Sequence, residues 1–380
     1  MTQQSYELPD LDHILDHQAE ESDTTTSAQQ KQVIEQTLAA FGMTVKVGDV
    51  RTGPTLTQFG LKLGSETKIS HIKRLDQDLS LALAGRPVWL EDPTPNYPYL
   101  RLVILNEQPV PVSLRQVLTP PAYQKQSGHL KVGLGLDSFA RPLTIDLAEM
   151  PHLLIGGMTG SGKSTCLNAM LASLLCAYPP DVLHLALIDP LRIELEAYGG
   201  IPHLFAPLAS RLRPVVDLLE GLNSAIDRRF TGFSKLGLRN ILAYNQQARQ
   251  TGREPLPYLV VLVDNLTDLI LRSGQEIEPL LTRLAAMGRG AGVHLVIATQ
   301  RSNVEIVSGA LKANATARIA FKVTSNADSR LILDATGAEN LFGPGDMLYK
   351  APNAGLLQRV QGTRPSPAEI DRLIGYWQHQ

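Results

Sequence analysis

The chain has 380 residues, of which 43% are hydrophobic and 19% are charged, and its formal net charge at pH 7 is −2. This length suits two or three domains. The composition excludes a generally disordered chain and a strongly basic nucleic-acid coat, so any contact with DNA must be local. The two cysteines, Cys166 and Cys176, lie in one segment typical of a helix, where they are about 15 Å apart and too distant to pair.

Residues 1–27 are acidic, and the first basic side chain is Lys31. This composition predicts a solvated, mobile tail. A few apolar residues between Leu8 and Ile14 leave open a short docking helix. The start is acidic where a signal peptide is basic, and no apolar run reaches the roughly 18 residues that span a bilayer, so the sequence predicts a cytoplasmic protein.

A small α+β domain is predicted over residues 28–120. A helix, two segments of alternating apolar residues, a second helix from Ile72 to Leu83 and two further apolar runs follow one another there. The segment TPPAYQKQSG, which is rich in turn-forming residues, then marks the passage into a larger domain, residues 121–380.

The larger domain alternates short apolar runs with helical stretches. The runs are HLLIGG, VLHLALID, YLVVLVDN, VHLVIATQ and ARIAFKV. Apolar runs of this length are typical of parallel strands that are buried on both faces. The alternation predicts a doubly wound α/β sheet with ligands at the carboxyl ends of its strands.

The strongest local signal is the segment GMTGSGKS, which matches the phosphate-binding pattern G-x-x-x-x-G-K-[ST] between a strand and a helix. Its glycines let backbone N–H groups wrap the phosphates, Lys163 reaches the β- and γ-phosphates, and Ser164 offers a hydroxyl to Mg²⁺. The sequence therefore predicts a site for ATP and Mg²⁺. The predicted nucleotide-binding residues are Gly157, Met158, Thr159, Gly160, Ser161, Gly162, Lys163, Ser164 and Thr165.

Two further strands end in polar residues that complete such a site. YLVVLVD ends at Asp264, in the position of a Walker B aspartate that holds Mg²⁺. HLVIATQ ends at Gln300, in the position of a γ-phosphate sensor. Both are therefore predicted to act, with Lys163, on one nucleotide.

Six segments of the chain resemble, in order, motifs of the FtsK/SpoIIIE motor family. They are MPHLLIGGMTGSGKS, ALIDPLRIELEAYGGIPHL, LPYLVVLVDN, RGAGVHLVIATQRS, KANATARIAFKV and SNADSRLILDATGAENLFGPGDMLY. The upstream segment TLAAFGMTVKVGDVRTGPTLTQFGLKL resembles the α domain of the same family. The resemblance covers residues 28 to 375. It implies a RecA-like P-loop NTPase domain with a parallel sheet, preceded by the small α+β domain.

The resemblance also implies an assembly and a substrate. Family members form a ring, here expected to be a homo-oligomeric hexamer, that threads double-stranded DNA and binds ATP between neighbouring subunits. The family's transmembrane region and winged-helix γ domain have no counterpart in this sequence, so a separate membrane anchor or DNA-orienting partner is expected where one is needed.

Further site residues follow from the resemblance position by position. Arg289 matches the family's trans-acting arginine finger. The residues that match its DNA-contacting loops, which bind the backbone without reading sequence, are Thr299, Arg301, Asn326 and Arg330. Asn326 stands where a lysine is usual, so the expected phosphate footprint is weaker by about one contact per subunit.

Two residues near the nucleotide site depart from the family pattern. Asn265 follows the Walker B aspartate where the family has a glutamate that polarises the attacking water. An amide can position a water but cannot take its proton, and loss of a general base typically costs about 10²–10⁴ in rate. Leu191 likewise replaces a lysine. The nearby carboxylates that could compensate are Asp189, Glu194 and Asp268.

Three functions are therefore open. The first is an ATP-driven translocase of duplex DNA that acts in chromosome, plasmid or phage DNA movement. The second, suggested by Asn265, is a catalytically impaired ATP-binding subunit that scaffolds or regulates a partner motor. The third is a coupling ATPase for conjugation or protein secretion, against which the α domain and the SNADSR segment count.

Overall fold

The computed structural model describes residues 6–17, 26–53, 55–93, 98–273, 276–299, 308–352 and 355–380. Contacts divide the chain into two units. The small unit holds residues 18–112 and 136–141, and the large unit holds residues 1–17, 113–135 and 142–380. The first helix, α1 (Leu11–Ile14), belongs to the large unit.

The small unit is α+β, as the sequence predicts. Its elements are α2 (Thr26–Ala40), β1 (Val45–Thr52), β2 (Leu56–Leu63), α3 (Ile69–Ile72), α4 (Asp76–Ala82), β3 (Val88–Glu91) and β4 (Leu100–Leu105). The strands form an antiparallel sheet in the order β1-β2-β4-β3. The alternating apolar residues of the strands and the apolar stripe of α2 enclose one core, in which Ile34, Leu38 and Phe59 are fully buried.

The large unit follows with an alternation of strands and helices. Its elements are α5 (Leu114–Leu118), α6 (Pro121–Lys125), β5 (Lys131–Asp137), β6 (Pro142–Asp146), β7 (Leu153–Gly156), α7 (Lys163–Ala177), β8 (Leu183–Ile188), α8 (Leu212–Lys235), α9 (Ile241–Thr251), β9 (Tyr258–Val263), α10 (Leu266–Ser273), α11 (Ile277–Ala291), β10 (Val293–Thr299), α12 (Gly309–Asn314), β11 (Ala317–Phe321), α13 (Asn326–Leu333), β12 (Asp346–Lys350), β13 (Gln358–Gly362) and α14 (Pro367–Gln378).

Among the described residues, these strands form a nine-stranded sheet in the order β6-β5-β13-β12-β11-β7-β10-β9-β8. β11, β7, β10, β9 and β8 run parallel to one another, whereas β12 pairs antiparallel with both β11 and β13. The predicted parallel sheet is confirmed as one side of a mixed sheet, from β11 to the terminal strand β8. The carboxyl ends of the parallel strands lie along the same side of the sheet, and those of β7 and β9 are among them.

The two faces of the central sheet pack against different sets of helices. Along β7, Leu153 and Ile155 join the core that contains Leu171 of α7 and Trp377 of α14. Leu154 joins the core on the other face, with residues of α8 and α11. Because successive side chains of a strand point to opposite faces, a continuous apolar run is needed to fill both cores.

The unit boundary lies earlier in the chain than the sequence suggested. The division falls after residue 112, whereas the prediction placed it at 120. Leu114 and Leu118 of α5 are buried in the core of the large unit, so this short helix belongs to that unit. Ser113 caps α5 by accepting the backbone N–H of Gln116, and this cap fixes the point at which the helix begins.

The prediction of a mobile acidic tail does not hold for residues 6–17. Ile14 and Leu15 are buried in the large unit. Arg115 donates hydrogen bonds to the carbonyls of Leu11, Leu15 and Asp16, and Arg372 of α14 donates to the carbonyl of Ile14. Two arginines thus satisfy backbone carbonyls that a mobile segment would leave to water. The short docking helix left open by the sequence is α1.

The same segment meets the end of the chain. The hydroxyl of Tyr376 donates to the carbonyl of Glu7, and the backbone N–H of Glu7 donates to the side chain of Gln380. In the described part of the chain, no helix is both long enough and apolar enough to cross a membrane.

Candidate nucleotide-binding site

The glycine-rich loop joins the end of β7 to the start of α7. Its glycines at 157, 160 and 162 have φ values of 153°, 76° and 112°, which side chains rarely adopt. A Cβ at Gly157 would lie 2.7 Å from Cβ of Phe321, and one at Gly162 would lie 2.6 Å from the backbone nitrogen of Gly345. Both the conformation and the space therefore require glycine.

The amino-terminal end of α7 is open to an anion. Gly162 precedes the helix and provides no side-chain cap, so the first N–H groups of α7 are free to bind phosphate oxygens. Ser164 and Thr165 are partly exposed in this first turn, and Met158 and Thr159 are exposed in the loop. This geometry fits a polyphosphate, which would take over the role of the missing cap.

Lys163 is folded onto its own loop. Its ammonium group donates to the carbonyls of Gly157 (2.9 Å) and Met158 (2.7 Å), and the Ser161 hydroxyl also donates to the Met158 carbonyl (2.7 Å). Burial lowers the pKa of Lys163 to about 8, against the opposing effect of Asp264. The lysine is thus mostly charged near neutral pH, and the phosphates of a nucleotide would favour that charge further.

Asp264 follows β9 at the same edge of the sheet. Its backbone N–H donates to the carbonyl of Ile188, which places it beside Asp189 at the ends of two paired strands. Burial raises the pKa of Asp264 to about 6, and the charges of Asp189 and Glu194 act in the same direction. A buried carboxylate crowded by other carboxylates gains stability from a nearby cation.

The donor set fits a nucleotide-bound Mg²⁺ better than an all-protein metal site. Among the described residues, no group of three or more His, Cys, Asp or Glu side chains could hold a metal ion. Mg²⁺ bound to phosphates needs only one or two protein oxygens and retains water. The Ser164 hydroxyl and the Asp264 carboxylate are the oxygens that fit this role.

Of the three carboxylates considered as replacements for the missing glutamate, two are engaged elsewhere. Both carboxylate oxygens of Asp189 accept backbone N–H groups from the loop that follows β8; the donors are Leu191, Arg192, Ile193, Glu194 and Leu195. Asp268 lies in the first turn of α10 and forms an ion pair with Arg272 at 2.7 Å. Glu194 is half-buried, and its charge acts on Asp264.

Asn265 lies at the turn between β9 and α10. It is 7% exposed and has a φ of 54°, in the left-handed region that asparagine adopts more readily than most residues. Just after it, the hydroxyls of Thr267 and Thr299 are joined at 2.7 Å, which ties α10 to the end of β10.

This arrangement corrects one predicted DNA contact. Thr299 is 2% exposed and its hydroxyl is bonded to Thr267, so its side chain does not reach the surface where DNA would bind. The predicted sensor Gln300 and the predicted DNA contact Arg301 lie outside the described residues.

The other predicted DNA contacts lie on α13. Asn326 and Arg330 are exposed and four residues apart, so they share one face of the helix. The opposite side of α13 packs against the end of β7, just before the nucleotide loop: Ile332 lies where a side chain at Gly156 would be, with Cγ1 2.7 Å from that position. The sequence reasoning missed Ile332 as a site residue, because nothing in an apolar helix position shows which strand it meets.

Arg289 lies at the far edge of the sheet from the nucleotide loop. It is exposed near the end of α11, just before β10 begins, and it donates to the carbonyl of Glu149 at 3.1 Å. Since β10 and β7 are parallel, the start of β10 and the end of β7 are at opposite edges. Arg289 therefore does not belong to the nucleotide site of its own chain.

A glycine loop that leads from a buried parallel strand into an uncapped helix, with an acidic residue at the end of a nearby strand, defines a P-loop NTPase. The models of two families match within this chain, that of the FtsK/SpoIIIE family over residues 113–304 and that of the FtsK alpha domain over residues 8–102. The chain belongs to the FtsK/SpoIIIE family.

Curated relatives agree with this assignment. The chain is 39% identical over 386 residues to the DNA translocase FtsK of Staphylococcus aureus (strain Mu50), covering 99% of this chain and 48% of that protein. It is 38% identical over 379 residues to the DNA translocase SpoIIIE of Bacillus subtilis (strain 168), covering 98% and 48%. The chain thus spans about half the length of the curated relatives it matches.

Two solved structures share the fold. The cytoplasmic domain of the type VII secretion ATPase EccC of Thermomonospora curvata superposes with a TM-score of 0.59 at 24% identity, over 70% of this chain and 34% of that one. The conjugation coupling protein TcpA of pCW3, solved with ATPγS, has a TM-score of 0.59 at 18% identity, over 91% and 99%. At these identities the likeness concerns the fold alone, so it gives no support to secretion or conjugation as the function.

Proposed function

We propose that this chain is the ATP-dependent motor part of a double-stranded DNA translocase that works as a homo-oligomeric, hexameric ring. The observation that carries the proposal is the geometry of the nucleotide site, with its glycine loop, buried Lys163 and Asp264 at one edge of the sheet, in a chain of the FtsK/SpoIIIE family. The curated relatives are named DNA translocases, which favours duplex DNA as the substrate.

Each site residue then has a role in the reaction. The free N–H groups at the start of α7 and the ammonium of Lys163 bind the β- and γ-phosphates. Ser164 and Asp264 would hold Mg²⁺, which would supply positive charge to the same phosphates. The Asn265 amide orients the attacking water, and Arg289 of a neighbouring subunit stabilises the charge of the transferring phosphoryl group.

The placement of α13 supports a role for this helix in DNA movement. Its exposed face, with Asn326 and Arg330, contacts the sugar–phosphate backbone, and its buried face lies against the strand that carries the nucleotide loop. Contacts of this kind bind DNA without regard to sequence.

The test is ATP hydrolysis with and without long duplex DNA, together with displacement of a third strand annealed to the duplex. We expect turnover that DNA stimulates and displacement that requires hydrolysis. Lys163→Ala should abolish both. The control Lys235→Ala, which removes an exposed lysine at the end of α8, should leave both unchanged. Hydrolysis that long duplex DNA does not affect would contradict the proposal.

Asn265 favours a second candidate, an ATP-holding subunit that regulates a partner motor. In that case the unmodified chain binds ATP but turns over negligibly, and Asn265→Glu gains DNA-stimulated hydrolysis. Robust turnover by the unmodified chain alone would remove this candidate.

A further inference from the structure

The loop that follows β8 is shaped by a single buried carboxylate. Asp189 is fully buried, and its two oxygens accept five consecutive backbone N–H groups, at 3.0 to 3.1 Å, from residues 191–195. Leu195 is also fully buried and anchors the far end of this turn. We call residues 189–195 the Asp189 loop.

The Asp189 loop lies beside the Walker B aspartate. β8 and β9 are paired in parallel register, with Ile188 opposite Val263 and a hydrogen bond from the Asp264 N–H to the Ile188 carbonyl at 2.9 Å. Asp189 and Asp264 are the next residues on the two strands. The backbone N–H of Glu194 is 3.0 Å from an oxygen of Asp189. Glu194 is therefore fixed at the same edge of the sheet as the nucleotide site.

The backbone of Glu194 is fixed by Asp189, whereas its carboxylate is available for other contacts. It is half-buried, and no hydrogen bond or ion pair joins its carboxylate to any residue that the structure describes. The neighbouring carboxylates differ: Glu196, just after the loop, is paired with Arg192, and Asp189 has both oxygens occupied. Glu194 also acts electrostatically on Asp264, whose pKa its charge helps to raise. Of the two carboxylates whose charges act on Asp264, Asp189 and Glu194, it is the one whose oxygens accept no hydrogen bond from the described residues.

We propose that Glu194 is the general base of ATP hydrolysis in this chain, in place of the glutamate that Asn265 replaces. The inference rests on the proposed function, since it concerns the same nucleotide site. A carboxylate with a free oxygen can take a proton from water, whereas the amide of Asn265 can only orient that water. Glu194 thus accepts the proton and Asn265 orients the water, two roles that one glutamate would otherwise combine.

The reaction balances with the groups present. The water oxygen forms a bond to the γ-phosphorus while the bond from that phosphorus to the β–γ bridging oxygen breaks. ADP leaves with the electron pair of the broken bond. Glu194 takes the proton released by the attacking water and returns it to the product phosphate or to solvent, which restores the carboxylate.

The experiment compares Glu194→Gln with the unmodified chain, and Glu196→Gln serves as the matched control. Glu196 is an exposed carboxylate two residues further along the chain, and it is paired with Arg192. Three quantities are measured for each variant: the dissociation constant of a fluorescent ATP analogue, kcat with long duplex DNA, and the melting temperature. We expect Glu194→Gln to lower kcat by about 10²–10⁴ with ATP affinity and melting temperature little changed. Glu196→Gln should keep kcat.

A second arm adds Asn265→Glu and the double variant. If Glu194 is the base, Asn265→Glu restores turnover to the Glu194→Gln chain, because a carboxylate is again beside the water. Two outcomes would overturn the role of Glu194 and leave the motor intact. In the first, Glu194→Gln keeps the kcat of the unmodified chain. In the second, the unmodified chain binds ATP without hydrolysing it, and hydrolysis requires Asn265→Glu. ATP binding with no DNA-stimulated turnover in any variant would instead count against the proposed function.

Discussion

Asp264 is buried beside other negatively charged residues, and its ionised carboxylate lowers the stability of the nucleotide-free protein. Its carboxylate is 4% exposed, beside Asp189 and near Glu194. A carboxylate so placed is less stable as an anion than it would be in water. The sequence pattern identified Asp264, because an apolar strand that ends in Asp is a local signal. It could not identify the role of Asp189, because the five N–H groups that surround it gather only when the loop folds.

We expect Asp264→Asn to stabilise the nucleotide-free protein while it weakens Mg²⁺–ATP binding. The folded pKa of Asp264 is about 6, above the unfolded value near 4, so the folded state holds its proton more tightly. The stabilisation that comes from this tighter proton binding is fully present below pH 4 and is lost as pH rises from 4 to 6. Above pH 6 the unmodified chain lacks about 2–3 kcal/mol that the asparagine variant retains.

Urea unfolding of both chains between pH 4 and pH 8, without nucleotide, measures this difference. The gap between the two free energies of unfolding should widen with pH and level off above pH 6. A gap that does not change with pH would show that Asp264 is ionised as easily in the folded chain as in water.

Helix α13 links the nucleotide loop to the exposed residues proposed to contact DNA. On its inner side Ile332 fills the space beside Gly156, the last residue of β7, and the first residues of the nucleotide loop are bonded to the end of β11, since the Met158 N–H donates to the Lys322 carbonyl at 2.9 Å. The helix thus packs directly against the end of the strand that leads into the nucleotide loop. Close packing of this kind transmits displacements, because protein interiors have few voids to absorb them.

We expect Gly156→Ala to destabilise the large unit by about 1–3 kcal/mol, because its methyl group would overlap Ile332. Ile332→Ala alone should cost about 2–5 kcal/mol through the cavity it leaves. The double variant should be more stable than the sum of the two effects predicts, since each change relieves the other. Thermal and urea unfolding of the four chains measure this.

Gly221→Ala provides the control for that series. Gly221 lies within α8 with no atom within 4 Å of the position of a Cβ, so the change should be neutral or stabilising by up to about 1 kcal/mol. Strictly additive effects of Gly156→Ala and Ile332→Ala would mean that the two side chains do not compete for the same space.

The elements that the sequence predicted well are those with continuous local signals. β7, β9 and β10 are consecutive apolar residues, and the nucleotide loop is a fixed spacing of glycines. Residues 6–17 were predicted less well, because their acidic composition concealed two features: two apolar residues that reach the core and backbone carbonyls that two arginines far along the chain bind. A local stretch of sequence does not show which distant residues will bind it in the folded chain.

At the scale of the whole molecule, the parallel strands place two parts of the proposed chemistry at opposite edges of the sheet. The nucleotide loop follows the carboxyl end of β7, whereas Arg289 precedes the amino end of β10. One chain therefore cannot bring its own Arg289 to its own nucleotide. In the proposed ring, with head-to-tail contacts, we expect the edge that carries Arg289 to meet the nucleotide edge of the next subunit.

We expect Arg289→Ala and Lys163→Ala chains to be poorly active alone and to regain activity when mixed. In a randomly mixed ring at equal amounts, about a quarter of the interfaces combine an intact Lys163 with an intact Arg289 from the neighbour. DNA-stimulated ATP hydrolysis, measured over a range of mixing ratios, should pass through a maximum. Arg228→Ala, which removes an exposed arginine of α8, should behave like the unmodified chain. Mixtures no more active than their components would argue against a site shared between subunits.

The contact between residues 6–17 and α14 also brings together two segments that are far apart in the sequence. Glu7 is bonded to Tyr376 and to Gln380. Donor and acceptor dyes attached near Glu7 and near Gln380 would therefore remain close together while the segment is docked. Loss of energy transfer between them would report its release, with no need to label the nucleotide site or the DNA.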